Sequence, residues 1–558
     1  MNNNFDYDAV VIGSGIGGLT AASLLCKSGL KVALVEKEPH AGGYLAGFQR
    51  KGYRFDTAIH WLNQCSNTGF VTKIFKLIGS DNPVCKPYYK IRRYKGNNKD
   101  FLLTTQPEEF KLALIKKYPD EKIGIERFFR TSKKIGHSLN HFKKFFRTSE
   151  TLSFTEKVGN ALQMLKFVLP FIPLVKYEGK RMKAGLDKYF RNTELQKLFV
   201  SETDLLSCVV PIGWAYYTDY QYPPEGGGQV IPEWMIHYLK TQGCDLFFNA
   251  PVQKILVDAG TAKGVLIHQK GKEKALKAKY VIAACDLNIL YRELLPQGII
   301  PSKKLKQLDE AEMYASSFTV CVALDCPTEQ LGFAEEMIHL FNEDSPKELQ
   351  NSGDPEHSAL TILTPSITDN SLAPTGCGTL VIFMPAYMHQ HNNWQTGPEL
   401  ERGKDYTKLK TSVAEKLITR VEHSIAPDLR KHIVFYEAAT PVTHWRYTGN
   451  KLGTMMGVKP GRKNMQSKVA GYITPVKNLF VGGQWAELGG GVPIAAKAGT
   501  NAALLVLKKI NKPAFKQLVE YFKDKKEISE INQHNAFKPY ANDWKRKKTA
   551  AEKYFQKN

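Results

Sequence analysis

The chain has 558 residues, 43% of them hydrophobic and 11% aromatic, and a formal net charge of +23. That length exceeds a single domain and buries a large core, while the composition excludes both a disordered chain and an integral membrane bundle. The charge is beyond what solubility requires; with no nucleic-acid recognition motif and with basic residues spread among Phe and Leu, it points away from nucleic acid and towards an anionic lipid surface or a generally lysine-rich proteome. The nine cysteines are scattered, with no Cys-x-x-Cys pair, which fits a reducing compartment and offers no zinc or iron–sulfur site. Residues 1–7 are polar and lead directly into the first strand with no signal peptide, so a cytoplasmic location is expected.

Residues 7–37 read as a short apolar strand, then Gly13-Ser14-Gly15-Ile16-Gly17-Gly18, a helix, a second apolar strand, and Glu36-Lys37. This is the order of a dinucleotide-binding unit. Gly13 permits the tight turn, Gly15 lets backbone approach a pyrophosphate, and Gly18 lets the helix pack closely on the sheet. The helix N-terminus then offers unpaired N–H groups to phosphate. Glu36 stands where a carboxylate accepts both ribose hydroxyls and repels a 2′-phosphate, so FAD or NAD is expected rather than NADP. A second glycine pair, Gly42-Gly43, and Tyr44 come next, and then Phe55-Asp56-Thr57-Ala58-Ile59-His60-Trp61.

Residues 126–190 are predicted to be helical, basic and aromatic, and include Phe142-Lys143-Lys144-Phe145-Phe146-Arg147. Their apolar run at 167–175 is broken by Pro170 and Pro173 and falls well short of the roughly 20 residues a spanning helix needs. An interfacial lid, or a buried helical subdomain, is expected instead. A glycine turn at residues 224–229 precedes a helix ending near Lys240, and strands follow around Val252 and up to Ala283. Near the C-terminus an apolar strand enters Gly482-Gly483-Gln484-Trp485-Ala486-Glu487-Leu488-Gly489-Gly490-Gly491-Val492-Pro493, with a small-residue helix predicted over 494–507. Residues 512–558 form a basic tail containing Tyr521, Phe522, Trp544 and Tyr554, expected to be helical and on the surface.

These motifs resemble the flavin-containing amine oxidase and phytoene desaturase superfamily over about residues 7–509. The run from Phe55 to Trp61 looks most like retinol saturases, within the branch that also holds phytoene desaturases and carotenoid cis-trans isomerases. The resemblance implies FAD. It implies that Gly42 and Gly43 wrap the pyrophosphate, that Asp56, Thr57, Ala58 and Ile59 pass beside the isoalloxazine, and that Val252 meets the adenine through its backbone. It further implies that Gly482, Gly483, Gln484, Gly491, Val492 and Pro493 close over the ribityl chain and ring. The chain departs from the pattern at Ala58, where glycine is common, and at Tyr44, where amine oxidases carry arginine; the second departure argues against amine oxidation.

The implied fold is α/β: a glutathione-reductase-like Rossmann FAD-binding domain interleaved with a mixed-sheet substrate domain and a helical membrane-facing lid. The FAD-binding domain takes residues 1–80, 221–300 and 471–511. The substrate domain takes 81–220, with the lid at 126–190, and 301–470. The basic tail is 512–558.

A flavin beside an apolar tunnel acts on a substrate with no ionisable handle, and no triad or paired carboxylates stand out in the sequence. His60 and Glu487 are the candidates for proton chemistry, His60 because it would titrate near neutral pH. A loop-fixing histidine and a surface glutamate are their structural alternatives. Trp61, Tyr222 and Trp485 are candidate substrate walls. The expected function is FAD-dependent desaturation, saturation or cis-trans isomerisation of a long hydrophobic polyene or isoprenoid, at the cytoplasmic surface of an anionic membrane, with no electron partner and no metal named by sequence. An amine oxidase-type flavoenzyme and a non-catalytic prenyl or lipid-binding escort protein on the same fold stay open.

Overall fold

An unbroken apolar run such as Tyr7–Ile12 suits a strand only where both of its faces are covered, as in a parallel sheet flanked by helices. The computed structural model, which describes residues 5–141 and 146–527, places it there. Strand β1 (Tyr7–Ile12) lies between β2 (Val32–Val35) and a long later strand, all parallel, with helix α1 (Ile16–Lys27) packed on one face. The sheet is completed by β7 (Asp245–Phe247), β8 (Val252–Asp258), β9 (Thr261–Gln269), β10 (Lys272–Ala283) and β16 (Leu479–Val481), in the order β7-β2-β1-β10-β9-β8 with β16 also on β10. The two halves of β10 serve different partners. Residues 272–277 form an antiparallel ladder with β9, and residues 278–283 run parallel to β1.

The helix Gly491–Ile510 crosses α1 at close range because small residues face each other. A Cβ on Gly499 would lie 2.0 Å from the Gly17 carbonyl oxygen, and one on Gly17 would lie 2.6 Å from that of Gly482. This helix starts three residues before the predicted point, so Gly491, Val492 and Pro493 form its first turn. Gly482 is thus a packing glycine: its Cβ would sit 2.3 Å from Ile282 Cγ2.

The second sheet is mixed and has the order β15-β11-β14-β13-β12-β5-β6. Its strands are β5 (Lys90–Lys95), β6 (Asp100–Thr104), β11 (Ser316–Leu324), β12 (Met337–Leu340), β13 (Leu360–Leu363), β14 (Gly378–Ala386) and β15 (Ile433–Ala439). Only the β12–β5 pair is parallel. One register row runs straight across five strands: Ala439, Thr319, Phe383, Thr361 and His339. A hairpin, β3 (Gly47–Arg50) with β4 (Tyr53–Asp56), links the two sheets, its Tyr53 hydroxyl donating to the Leu324 carbonyl.

Residues 122–215 are mostly helical. The helix Lys122–His141 buries Phe128, Phe129 and Ile135 and is part of the core packed on the second sheet. Helix Phe154–Val168 is different. It starts with a capping box at Ser153 and Glu156, and it buries none of its residues. Phe154 is 81% exposed, and Leu162, Leu165, Leu169 and Ile172 are all more than half exposed. Apolar side chains on so open a helix call for a covering partner.

Two expectations change here. Phe146, expected in the lid, is buried against Phe70 and stacks on Phe522 with ring centroids 4.5 Å apart. The start of the tail is likewise no free surface segment: helix Lys512–Phe522 buries Leu518 and Tyr521, and the Tyr521 hydroxyl donates to the Lys73 carbonyl. Phe142, Lys143, Lys144, Phe145, Trp544 and Tyr554 lie outside the described residues. No helix among the described residues is long and apolar enough to cross a membrane.

Candidate active site

A single cavity of 1960 Å³ runs from the glycine turn after β1 to the row of residues crossing the second sheet. Ordinary ligand pockets measure about 300–1,000 Å³, so this one has room for two molecules. At one end Gly13 turns with φ +93°, and its N–H donates to the Val35 carbonyl. A Cβ on Gly18 would lie 1.9 Å from the Gly13 carbonyl oxygen, so this glycine lets α1 pack and does not line the cavity. Gly15 differs: a Cβ there would meet nothing within 4 Å. The open space in front of it is bordered by Gly42 and Gly43, both with positive φ, and Gly42 donates to the Ser14 carbonyl at 3.0 Å.

Two helix N-termini open on this cavity, those of α1 and of Gly491–Ile510, and neither carries a side-chain cap. Their first N–H groups and dipoles suit an anion. Glu36 lines the same space. Its carboxylate is fixed by the Ser14 N–H at 2.8 Å, the Ser14 hydroxyl at 2.6 Å and the Glu38 N–H at 2.9 Å. Lys37, at the rim, donates to the Arg446 carbonyl. Val252, Thr57, Ala58, Ile59, Ile16, Gly17, Gly483, Gln484, Gly491, Val492 and Pro493 also line it. Tyr44 lies between the halves, its hydroxyl donating to the Thr454 carbonyl at 2.7 Å.

Beyond these residues the cavity passes His60, whose ring stacks on Phe383 with centroids 4.0 Å apart. His444 faces the same region and exchanges a 3.1 Å hydrogen bond with the Ser317 hydroxyl. Burial pushes His60 down to about 3, with His444 adding to the shift, and pushes His444 down to about 4. Both imidazoles are therefore neutral at physiological pH, which corrects the expectation that His60 titrates near neutrality. Trp61 lines the cavity, as does Trp485, whose indole N–H is spent on Asn450 Oδ1 at 3.0 Å.

Besides the packing glycines Gly18 and Gly482, three expected residues do not reach the cavity. Asp56 accepts the Gly228 N–H at 2.8 and 3.0 Å and ties β4 to the glycine turn at 226–228; burial, with Asp369 nearby, pushes it up to about 7. Tyr222 stacks on Tyr88 at 3.6 Å, and Tyr88 in turn donates to the His60 carbonyl, so Tyr222 backs the wall and does not form it. Glu487 points away, accepting the Tyr472 hydroxyl at 2.5 Å and pairing with the nearly buried Lys497 at 3.0 Å. Removing it takes away one of that cation's partners. Glu487→Ala is expected to cost about 2 kcal/mol of stability while leaving kcat within a factor of about 2; thermal melts and steady-state rates check both.

A sequence model described as flavin containing amine oxidoreductase matches residues 16–507. The chain belongs to this family. The prolycopene isomerase of Daucus carota is 27% identical over 517 residues, covering 90% of this chain and 80% of its own. The all-trans-retinol 13,14-reductase of Danio rerio is 25% identical over 544 residues, 91% and 88% of the two chains. The fold is shared with an oxidoreductase from Methanosarcina mazei, at 16% identity and a TM-score of 0.55 over 90% of this chain and 100% of that one.

This amine oxidoreductase family member is an FAD-dependent oxidoreductase, and the residues present fit the cofactor: open space at Gly15, two uncapped helix N-termini and a fixed carboxylate at the end of β2. Bound there, FAD supplies hydride and electron transfer. What the sequence did not single out in this flavoenzyme is the wall opposite the glycines: Phe383, Thr361, His339 and His444. His444 lies in the helix Pro441–Thr448, and no local motif marks it.

The buried histidines set the flavoenzyme's acid stability. His60, His339 and His444 are held near 3, 3 and 4 by burial. The unfolded chain takes up protons on them below about 6.5, so each removes up to about 1.4 kcal/mol of stability per pH unit as pH falls towards its folded value. Asp56 and Glu202, both raised to about 7 by burial, work the other way, because the folded state binds their protons first as pH falls from about 7 to about 4. Stability should fall shallowly down to about pH 4 and more steeply below it, where the compensation from Asp56 and Glu202 has ended, His60 and His339 still oppose folding, and paired carboxylates held low, Glu156 among them, take up protons. Circular dichroism melts across pH check this; a steep loss beginning at about pH 6 would contradict it.

Proposed function

We propose that this flavoenzyme acts on the carbon–carbon bonds of a long hydrophobic polyene or isoprenoid, by cis-trans isomerisation, saturation or desaturation. The observation that carries the reading is the continuity of the cavity: it leaves the glycine-lined groove, passes the stacked pair His60–Phe383 and reaches Phe167 and Phe171 beside the exposed helix Phe154–Val168. A rod-like apolar substrate fits such a path, and the names of the carrot and zebrafish relatives agree with it. His60 and His444 are placed in this reading beside the reacting bonds, where neutral imidazoles orient and exclude water but hold no acidic proton. Isomerisation, which consumes no net proton, is the reaction that such a wall serves best.

The exposed helix is, in the same reading, a membrane-facing lid. Leu162, Leu165, Leu169 and Ile172 would enter the interfacial layer while Lys157, Lys166 and Lys176, all exposed, stay at headgroup level. The cavity then opens directly into lipid, the phase in which the substrate dissolves. Leu162→Asp with Leu165→Asp is expected to lower binding to anionic vesicles about tenfold or more with flavin content unchanged.

Product analysis separates the three reactions. The flavin-loaded protein is incubated with a polyene in vesicles, with and without prior reduction, and the products are separated by chromatography and mass. A product of unchanged mass is isomerisation, one with two hydrogens more is saturation, and one with two fewer is desaturation. Release of an amine-derived aldehyde, with every polyene inert, would overturn the proposal.

A further inference from the structure

Two neighbouring ladders of the second sheet end at the same place. Strand β11 closes with Leu324 opposite Gly378 of β14 on one side and opposite Ile433 of β15 on the other. The residues just past these ends, Asp325 and Cys326 after β11 and His432 before β15, are thereby brought together, although Asp325 and His432 stand 107 positions apart. Backbone fixes the meeting. The Asp325 N–H donates to the His432 carbonyl at 3.0 Å, and the Tyr53 hydroxyl of the β3–β4 hairpin holds the Leu324 carbonyl at 3.0 Å. On this frame the Asp325 carboxylate, the Cys326 sulfur and a His432 ring nitrogen lie within 4.8 Å of one another, the one such group of three metal-ligating side chains among the described residues.

We infer that Asp325, Cys326 and His432 form a binding site for a divalent metal ion of the zinc class, with water in the fourth position. A histidine–aspartate contact, here 2.8 Å, is by itself an ordinary surface pair. The thiol sets this one apart: Cys326 is free and buried at the base, while the Asp325 and His432 side chains, 58% and 36% exposed, form a rim open to solvent. The donors select the ion. Thiolate sulfur, imidazole nitrogen and carboxylate oxygen together are zinc ligands, whereas calcium and magnesium take oxygen alone. A thiolate and a carboxylate also match the charge of a divalent cation. Zinc bonds of about 2.0–2.3 Å place the ligand atoms of a tetrahedral site about 3.3–3.8 Å apart, so closing this triangle on an ion takes shifts of about 1 Å or less, which rotation of the two rim side chains supplies. No sequence spacing announces the site, because its ligands meet through strand register. Cys321 is the last residue of β11 to line the cavity, and Asp325 lies about 13 Å further along the strand direction, so the ion clamps β11 to β15 and takes no part in the flavin chemistry.

The test uses the full chain loaded with FAD, stripped of metal with a chelator, desalted and titrated with Co²⁺. A thiolate-bound tetrahedral cobalt ion absorbs to the red of the flavin bands, and this absorption is expected to saturate at a single ion per chain, to be displaced by Zn²⁺ and to be untouched by Ca²⁺ or Mg²⁺. Zn²⁺ should also raise the melting temperature. Asp325→Asn, Cys326→Ser and His432→Ala should each weaken Zn²⁺ binding about 100-fold or more. Flavin content reports the folding of each variant, and the two rim substitutions, at partly exposed positions, keep the test valid should the buried Cys326→Ser fold poorly. Cys377→Ser is the control: this thiol packs with Tyr53 and Cys321 in a different core from Cys326, and its loss should leave binding unchanged. Absence of the cobalt band, a band that persists in Asp325→Asn and His432→Ala, or a band lost in Cys377→Ser would overturn the site. None of these results bears on the polyene reading.

Discussion

Gly15→Val is expected to give a folded protein that purifies without colour. The residue sits at the start of α1 with φ −66° and ψ 170°, an extended conformation that valine adopts without strain. Its Cβ would meet no protein atom within 4 Å, so the fold has no reason to object. The side chain instead fills the space before the uncapped α1 N-terminus, where the pyrophosphate must approach backbone. Loss of that approach should weaken FAD binding by about 10³-fold or more, about 4 kcal/mol. The melting temperature should match that of the wild-type apoprotein. Gly18→Val supplies the contrast. With its Cβ placed 1.9 Å from the Gly13 carbonyl oxygen, it should fail to fold stably at all. Both variants lack colour, and only the melt tells them apart.

Thr361→Trp should have the opposite phenotype: full colour and no turnover. Thr361 lies mid-row between Phe383 and His339 and lines the cavity. An indole there plugs the path beyond the His60 region without touching the glycine-lined groove. Polyene turnover is expected to drop about 100-fold or more, equivalent to about 2.7 kcal/mol in the barrier, with flavin content unchanged. Normal turnover in a coloured Thr361→Trp protein would mean that the substrate takes another route.

The difference between what local sequence reveals and what it conceals is clear from individual residues. The dinucleotide unit is local: Gly13, Gly15, Gly18 and Glu36 fall within one strand-helix-strand segment, and each has a distinct physical task that its spacing announces. The second glycine motif is equally local. Residues beside such motifs are harder, because neighbours in a turn point in opposite directions. Trp485 faces the cavity while Glu487, two positions on, faces Tyr472 and Lys497. Asp56 and Tyr222 were misplaced for the same reason, being one layer behind the wall. The wall itself was hidden because it is made by register. Thr319, Phe383, Thr361 and His339 come together only through strand pairing, from segments without a motif of their own. The helical segment at 126–190 is visible as composition, basic and aromatic, but which of its apolar side chains face outward depends on how helix Phe154–Val168 docks.

The central claim is that one cavity holds a flavin and, continuous with it, a polyene. It is tested most directly by anaerobic titration of the flavin-loaded protein with a polyene in vesicles while the flavin absorption spectrum is followed. A saturable perturbation or bleaching of the flavin bands, abolished in Thr361→Trp, is the predicted result. A spectrum unmoved by every polyene, yet bleached by an amine, would contradict the account.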